Sequence, residues 1–107
     1  MEWSVEFCNA EAKAEVDRLS VDLRAKFERI VNLIRLKGLQ QVREPYVKHL
    51  EGKFWEMRMI GKDGIARSIY ITAIGRRVVI LHTFIKKSDK TPRRAIEIAR
   101  TRAEGLA

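Results

Sequence analysis

The 107-residue chain reads as one α+β domain over residues 1–107: an N-terminal strand, a helical hairpin, an antiparallel sheet of three further strands and a C-terminal helix. Three observations predict this class. The apolar residues of the first half recur at helical spacing, whereas those from Phe54 onward recur at every second position. Two turn signals, the Gly61–Gly64 stretch and Gly75-Arg76, divide that alternating region into three runs. The Thr91-Pro92 pair then announces a last helix.

Each element has its own local cause. Trp3-Ser4-Val5-Glu6-Phe7 alternates apolar and polar as a half-buried strand does. Asn9 can cap a helix running to about Leu19, with Ala12, Val16 and Leu19 on one stripe. Ser20 can cap a longer helix in which Leu23, Phe27, Ile30, Val31 and Ile34 line one face, and Gly38 can end it. Short joins between consecutive helices favour an antiparallel hairpin. A loop around Pro45 carries His49 and leads to strands at Phe54–Ile60, Ile65–Ala73 and Val78–Ile85. Asp63-Gly64 suits a tight hairpin turn. Thr91 is expected to cap the last helix, Pro92 to occupy its first position, Ile96, Ile98 and Ala99 to seat it, and Gly105 to stop it.

Composition narrows the function classes. Hydrophobic residues make up 46% of the chain, enough for a core at this size without staples. No apolar run approaches the ~20 residues that cross a bilayer, and the first residues show no basic-then-apolar export pattern. The single cysteine, Cys8, excludes an internal disulfide and fits a reducing compartment, so a cytoplasmic location away from membranes is expected. Cys8 reads as a small buried residue. The net charge of +8 is unevenly placed. Residues 1–45 balance eight basic against eight acidic side chains, and residues 46–107 carry fourteen against six. An excess confined to one half points to a surface that meets a polyanion. Cys8 and two scattered histidines lack zinc-ligand spacing, and no glycine-rich nucleotide loop is present, so neither metal nor cofactor is expected.

Register arithmetic sharpens the polyanion reading. An even loop at Lys62-Asp63 places Arg58 opposite Arg67 and Glu56 opposite Ile69. A two-residue turn at Gly75-Arg76 places Phe84 beside Arg67 and His82 beside Ile69. Like charges directly opposite repel, unless an anion lies between them, and paired guanidinium groups suit phosphate. The alternation puts Trp55, Met57 and Met59 toward the helices, and Glu56 and Arg58 toward solvent. The row Arg58–Arg67–Phe84 would combine two phosphate-binding cations with a ring able to stack a base. Lys86, Lys87 and Lys90 follow it; Lys48 and Lys53 flank the preceding loop and would touch phosphate backbone, with His49 a further RNA contact.

At these residues the chain resembles a known family. The segments KHLEGKFWEMR, GIARSIY and VVILHTFIKKSDKTPRRAIEIAR look like those of RelE/HigB-type bacterial toxins, nearest to the phage-derived HigB-like branch. The resemblance covers nearly the whole chain. It implies the toxin of a type II toxin–antitoxin pair, an endoribonuclease that cuts mRNA on the ribosome and is neutralised by a small partner, often a helix-turn-helix antitoxin. It also implies that Arg67 stabilises the scissile phosphate, that Arg58 supplies a basic group on the neighbouring strand, and that Lys86 and Lys87 complete the catalytic set. Relatives with a second lysine near position 56 differ from this chain, which has Glu56, and no aromatic residue follows Phe84.

Cleavage by the neighbouring 2′-hydroxyl needs a proton acceptor, cations for the phosphorane and a donor for the leaving 5′-oxygen. Arg58 and Arg67 suit the charge role; the base would be Glu56, His82 or a lysine of the cluster. Two other readings stay open: a toxin of this fold directed at DNA gyrase, as in the ParE branch, and a non-enzymatic basic module that binds RNA or protein.

Overall fold

The computed structural model describes residues 2–62, 64–86 and 90–106. Strand β1 spans Ser4–Phe7, helix α1 Ala10–Asp17 and helix α2 Val21–Lys37. Both helix starts are fixed by the expected caps: Asn9 Oδ1 accepts the Ala12 N–H at 2.8 Å, and Ser20 Oγ accepts that of Leu23 at 3.2 Å. Gly38 ends α2 at φ 87°, a backbone region that costs glycine nothing. A 3-10 turn, Leu39–Gln41, then leads to the sheet strands β2 (Val47–Glu51), β3 (Phe54–Gly61), β4 (Gly64–Ala73) and β5 (Arg77–Lys86), and helix α3 spans Arg93–Glu104.

The five strands form one mixed sheet in the order β1-β5-β4-β3-β2. β1 runs parallel to β5 and the other pairs are antiparallel. One strand exceeds the sequence expectation: β2 forms from the segment read as a loop, so His49 lies in an edge strand. A register shift between His49 and Glu51 breaks the alternation of VKHLE, and with it the signal that marks a strand.

The inner hairpin registers agree with expectation, though by a different route. Arg58 pairs with Arg67, Glu56 with Ile69, Phe84 with Arg67 and His82 with Ile69. The second turn nevertheless has three residues, because Ala73 pairs with Arg77 across Ile74-Gly75-Arg76. An odd loop moves every later side chain to the other face. A bulge restores them: Ile69 pairs with His82 but Tyr70 with Ile80, so Leu81 is the extra residue.

Helices cover both faces. α2 lays Phe27, Ile30, Val31 and Ile34 over Met57, Met59, Tyr70 and Ile80. α3 lays Ala95, Ile96, Ala99 and Ala103 over Phe54, Ile69, Ile71, Val79 and Leu81 on the opposite face. Alanines at three of those four positions bring the α3 backbone close to the sheet. α1 leans on β1 and β5. The helical side therefore owns Met57 and Met59, as the alternation predicts, whereas Trp55 on the same face remains 39% exposed.

Candidate functional site

The α3 side of the sheet has two regions. Its lower half is the apolar layer under α3; its upper half carries the charged residues that alternation places on the same face. Arg58 and Arg67 stand opposite each other there, and the anion that reconciles them is internal. Glu56, with no exposed surface, receives the Arg67 guanidinium on Oε1, and Arg58 Nε lies 3.5 Å from the same oxygen. The Thr91 hydroxyl donates to Oε2 at 2.8 Å. Arg67 Nη1 also lies 3.4 Å from that hydroxyl. The expectation that Glu56 faces solvent is thus corrected. A charged residue at a polar position of an alternating strand reads as solvated, but the N-terminal approach to α3 covers it, the Arg67 guanidinium and the Thr91 hydroxyl hydrogen-bond it, and Arg58 adds only a longer ion-pair contact.

Thr91 is likewise not the helix cap. Pro92 occupies the cap position of α3 without a side-chain hydrogen bond, and the threonine hydroxyl is committed to Glu56 instead. Arg67 is nearly closed off, with 7% of its side chain exposed, while Arg58 keeps 20%. Of the two arginines proposed to grip an outside anion, Arg58 is the more open one, and Arg67 braces the carboxylate.

The row extends at both ends. Phe84, opposite Arg67, stacks on His82 with ring centroids 5.4 Å apart and planes 20° apart. At the other end the Arg58 N–H donates to the Tyr46 carbonyl at 2.8 Å, continuing the β2 register to Tyr46, which is 41% exposed. Tyr46 escaped the sequence reading because β2 did. Lys48 is exposed and pairs with Glu56 across β2 and β3. Lys86 pairs with Ile65 and is 8% exposed; Lys90 is exposed beside Thr91. Lys87 lies outside the described residues. Lys53 does not join this group: it sits at the β2–β3 turn with Nζ 5.9 Å from the Phe54 ring centre, five residues (about 16 Å along a strand) from Arg58.

The two candidate bases differ in availability. Both Glu56 oxygens are engaged and sealed. His82 gives Nδ1 to the Glu15 carboxylate at 3.0 Å, and its Nε2 makes no hydrogen bond to a described residue. Since an ionised carboxylate only accepts, Nδ1 is the donor and a neutral ring presents a lone pair at Nε2. Glu15 is itself a hub. Its Oε1 accepts the Thr83 N–H at 3.0 Å, and Arg102 of α3 bridges both of its oxygens at 2.9 and 3.0 Å. Burial pushes the Glu15 pKa up, but the Arg102, Thr83 and His82 interactions together outweigh it and hold the carboxyl below its ordinary value. Cys8 lies nearby, its Sγ donating to the Leu81 carbonyl at 3.7 Å, and burial pushes its thiol up, which disfavours the thiolate.

Fold and site together define a small α+β domain with a basic, aromatic-flanked row on one sheet face. Residues 14–104 match the family described as Phage derived protein Gp49-like (DUF891), and the chain belongs to that family, which is toxin-like. No curated protein matches the chain. Among the described residues no helix is long and apolar enough to cross a membrane.

Proposed function

We propose that this protein is the toxin of a type II toxin–antitoxin pair, of the RelE/HigB kind, and that it cuts mRNA on the ribosome. The observation that carries the reading is the convergence of Arg58 and Arg67, from neighbouring strands, on one carboxylate. Glu56 fixes Arg67, and that pair in turn holds Arg58 at the rim of the row. A guanidinium placed in advance and partly dry stabilises phosphorane charge without reorganising. Phe84 and Tyr46 at the ends of the row offer rings for the flanking bases, and Lys48 and Lys90 offer charge to the backbone. His82, oriented by Glu15, takes the 2′-hydroxyl proton through Nε2. The oxygen then attacks phosphorus, and the 5′-oxygen leaves with a proton supplied by a lysine of the cluster, Lys86 or Lys87. A basic face that is harmful when free needs a cover, and a small helix-turn-helix antitoxin supplies it.

Primer extension on total RNA, with and without ribosomes, tests this. New 5′ ends that need ribosomes and vanish in Arg58→Ala support it. Intact transcripts accompanied by supercoiling defects would overturn it in favour of gyrase. Salt-sensitive RNA binding with neither effect would reduce the protein to a binding module.

A further inference from the structure

A second aromatic site lies on the other face of the sheet. There a cavity of about 680 Å³ opens between β2–β4 and the 3-10 turn, in the size range of small-ligand sites. Trp3, Trp55, His49 and Tyr70 line it. Its walls are held in place. The Trp3 ring packs against Gly38, 3.5 Å from where a Cβ would stand, and His49 is fixed by its Nε2 contact with the Gly52 carbonyl at 2.8 Å. Trp55 tilts against His49 with centroids 4.8 Å apart. Tyr70 is only 1% exposed; its hydroxyl makes no hydrogen bond to a described residue and is not among the buried unpaired groups, so the little surface it keeps opens on the cavity. Burial pushes its pKa far up, so it stays a neutral donor and acceptor.

We infer that this cavity is a nucleobase subsite for single-stranded RNA. Flat aromatic walls suit any base, because every base has a π-face. An apolar side chain from a protein partner would fill the volume but shut the Tyr70 hydroxyl off from water without a partner; the polar edge of a base replaces that water. Arg43 and Lys48 outweigh the one acidic residue of the same lining, Glu44, and supply charge for the attached phosphate. The path is continuous with the catalytic row: Tyr46 ends that row, and the next residues, Val47, Lys48 and His49, line the cavity. An RNA strand crossing the row therefore turns over the β2 edge and drops a base between Trp3 and Trp55. The subsite rests on the protein's acting on RNA, and its test does not depend on cleavage.

Trp3 and Trp55 are the chain's two tryptophans, so tryptophan fluorescence, excited beyond the tyrosine absorption band, reports this cavity and leaves Tyr46 of the row silent. The full-length protein is titrated with each ribonucleoside 5′-monophosphate to millimolar concentration, and in parallel with cyclohexanol, a non-absorbing apolar probe. Saturable quenching by nucleotides is expected. Trp55→Leu, at a partly exposed position, weakens it about tenfold, as loss of one stacking partner does. Tyr70→Phe keeps the ring and flattens the preference among bases. Quenching that survives in Arg58→Ala, where cleavage is lost, supports the subsite independently of the nuclease. No saturable quenching by any nucleotide, equal affinity in Trp55→Leu, or a saturable response to cyclohexanol alone would overturn the nucleobase assignment, even if mRNA cleavage stands.

Discussion

Arg67 of β4 and Glu56 of β3 meet diagonally across the hairpin, one 7% exposed and the other fully buried. A buried pair of this kind contributes little net stability, because desolvation offsets attraction, but removing one partner strands the other charge. Arg67→Ala is therefore expected to cost about 3–5 kcal/mol in urea unfolding. Glu56→Leu combined with Arg67→Met is expected to cost less than Arg67→Ala alone. A single-variant loss within about 1 kcal/mol would show that the carboxylate reaches water in solution.

Arg58 behaves differently because part of its side chain is open. Arg58→Ala leaves Glu56 held by Arg67 and Thr91, so the urea midpoint should move less than in Arg67→Ala. The cleavage rate should nonetheless fall by on the order of 10²–10³, the usual effect of removing one donor to transition-state charge. Equal losses of stability in the two variants, with cleavage unchanged in Arg58→Ala, would make both arginines structural.

Thr91 joins the approach to α3 to the middle of β3. Thr91→Val keeps the shape, removes one hydrogen bond to a charged group and should cost about 1.5–3 kcal/mol, with Thr91→Ser recovering most of it. Amide exchange reads where the loss falls. Protection at Ala95 and Ile96, whose N–H groups bond to the Pro92 carbonyl, should drop more than at Ile69 in the sheet. Uniform loss would mean that α3 and the sheet open as one unit.

Glu15 ties α1, β5 and α3 together, and its lowered pKa sets a pH window. A carboxyl depressed on folding binds fewer protons in the native state, so its contribution is complete above the ordinary glutamate value near 4.5 and is lost as pH falls through the folded value. Unfolding free energy should decline with acid in that range, and Glu15→Gln should flatten the decline. An unchanged slope in Glu15→Gln would assign acid sensitivity elsewhere. The same variant should slow cleavage by releasing His82 from its single orientation, a change seen in rate and not in RNA affinity.

Local sequence by itself determined the helices, the first hairpin and, through it, the pairing of Arg58 with Arg67. Caps, glycines and side-chain period act within a few residues, and Asn9, Ser20 and Asp63-Gly64 carry those signals whatever the rest of the chain does. Tertiary structure decided the remainder. β2 became a strand because β3 offered it a free edge, although the shift after His49 hid its alternation. The three-residue second turn should have reversed the face of Phe84 and His82, and the bulge at Leu81, five residues past the turn within β5 itself, compensated, a correction that no local pattern announces. Glu56 and Thr91 show the deepest limit. Whether a carboxylate at an alternating position meets water or a buried guanidinium depends on what covers that face, and the covering segment lies 35 residues away in sequence.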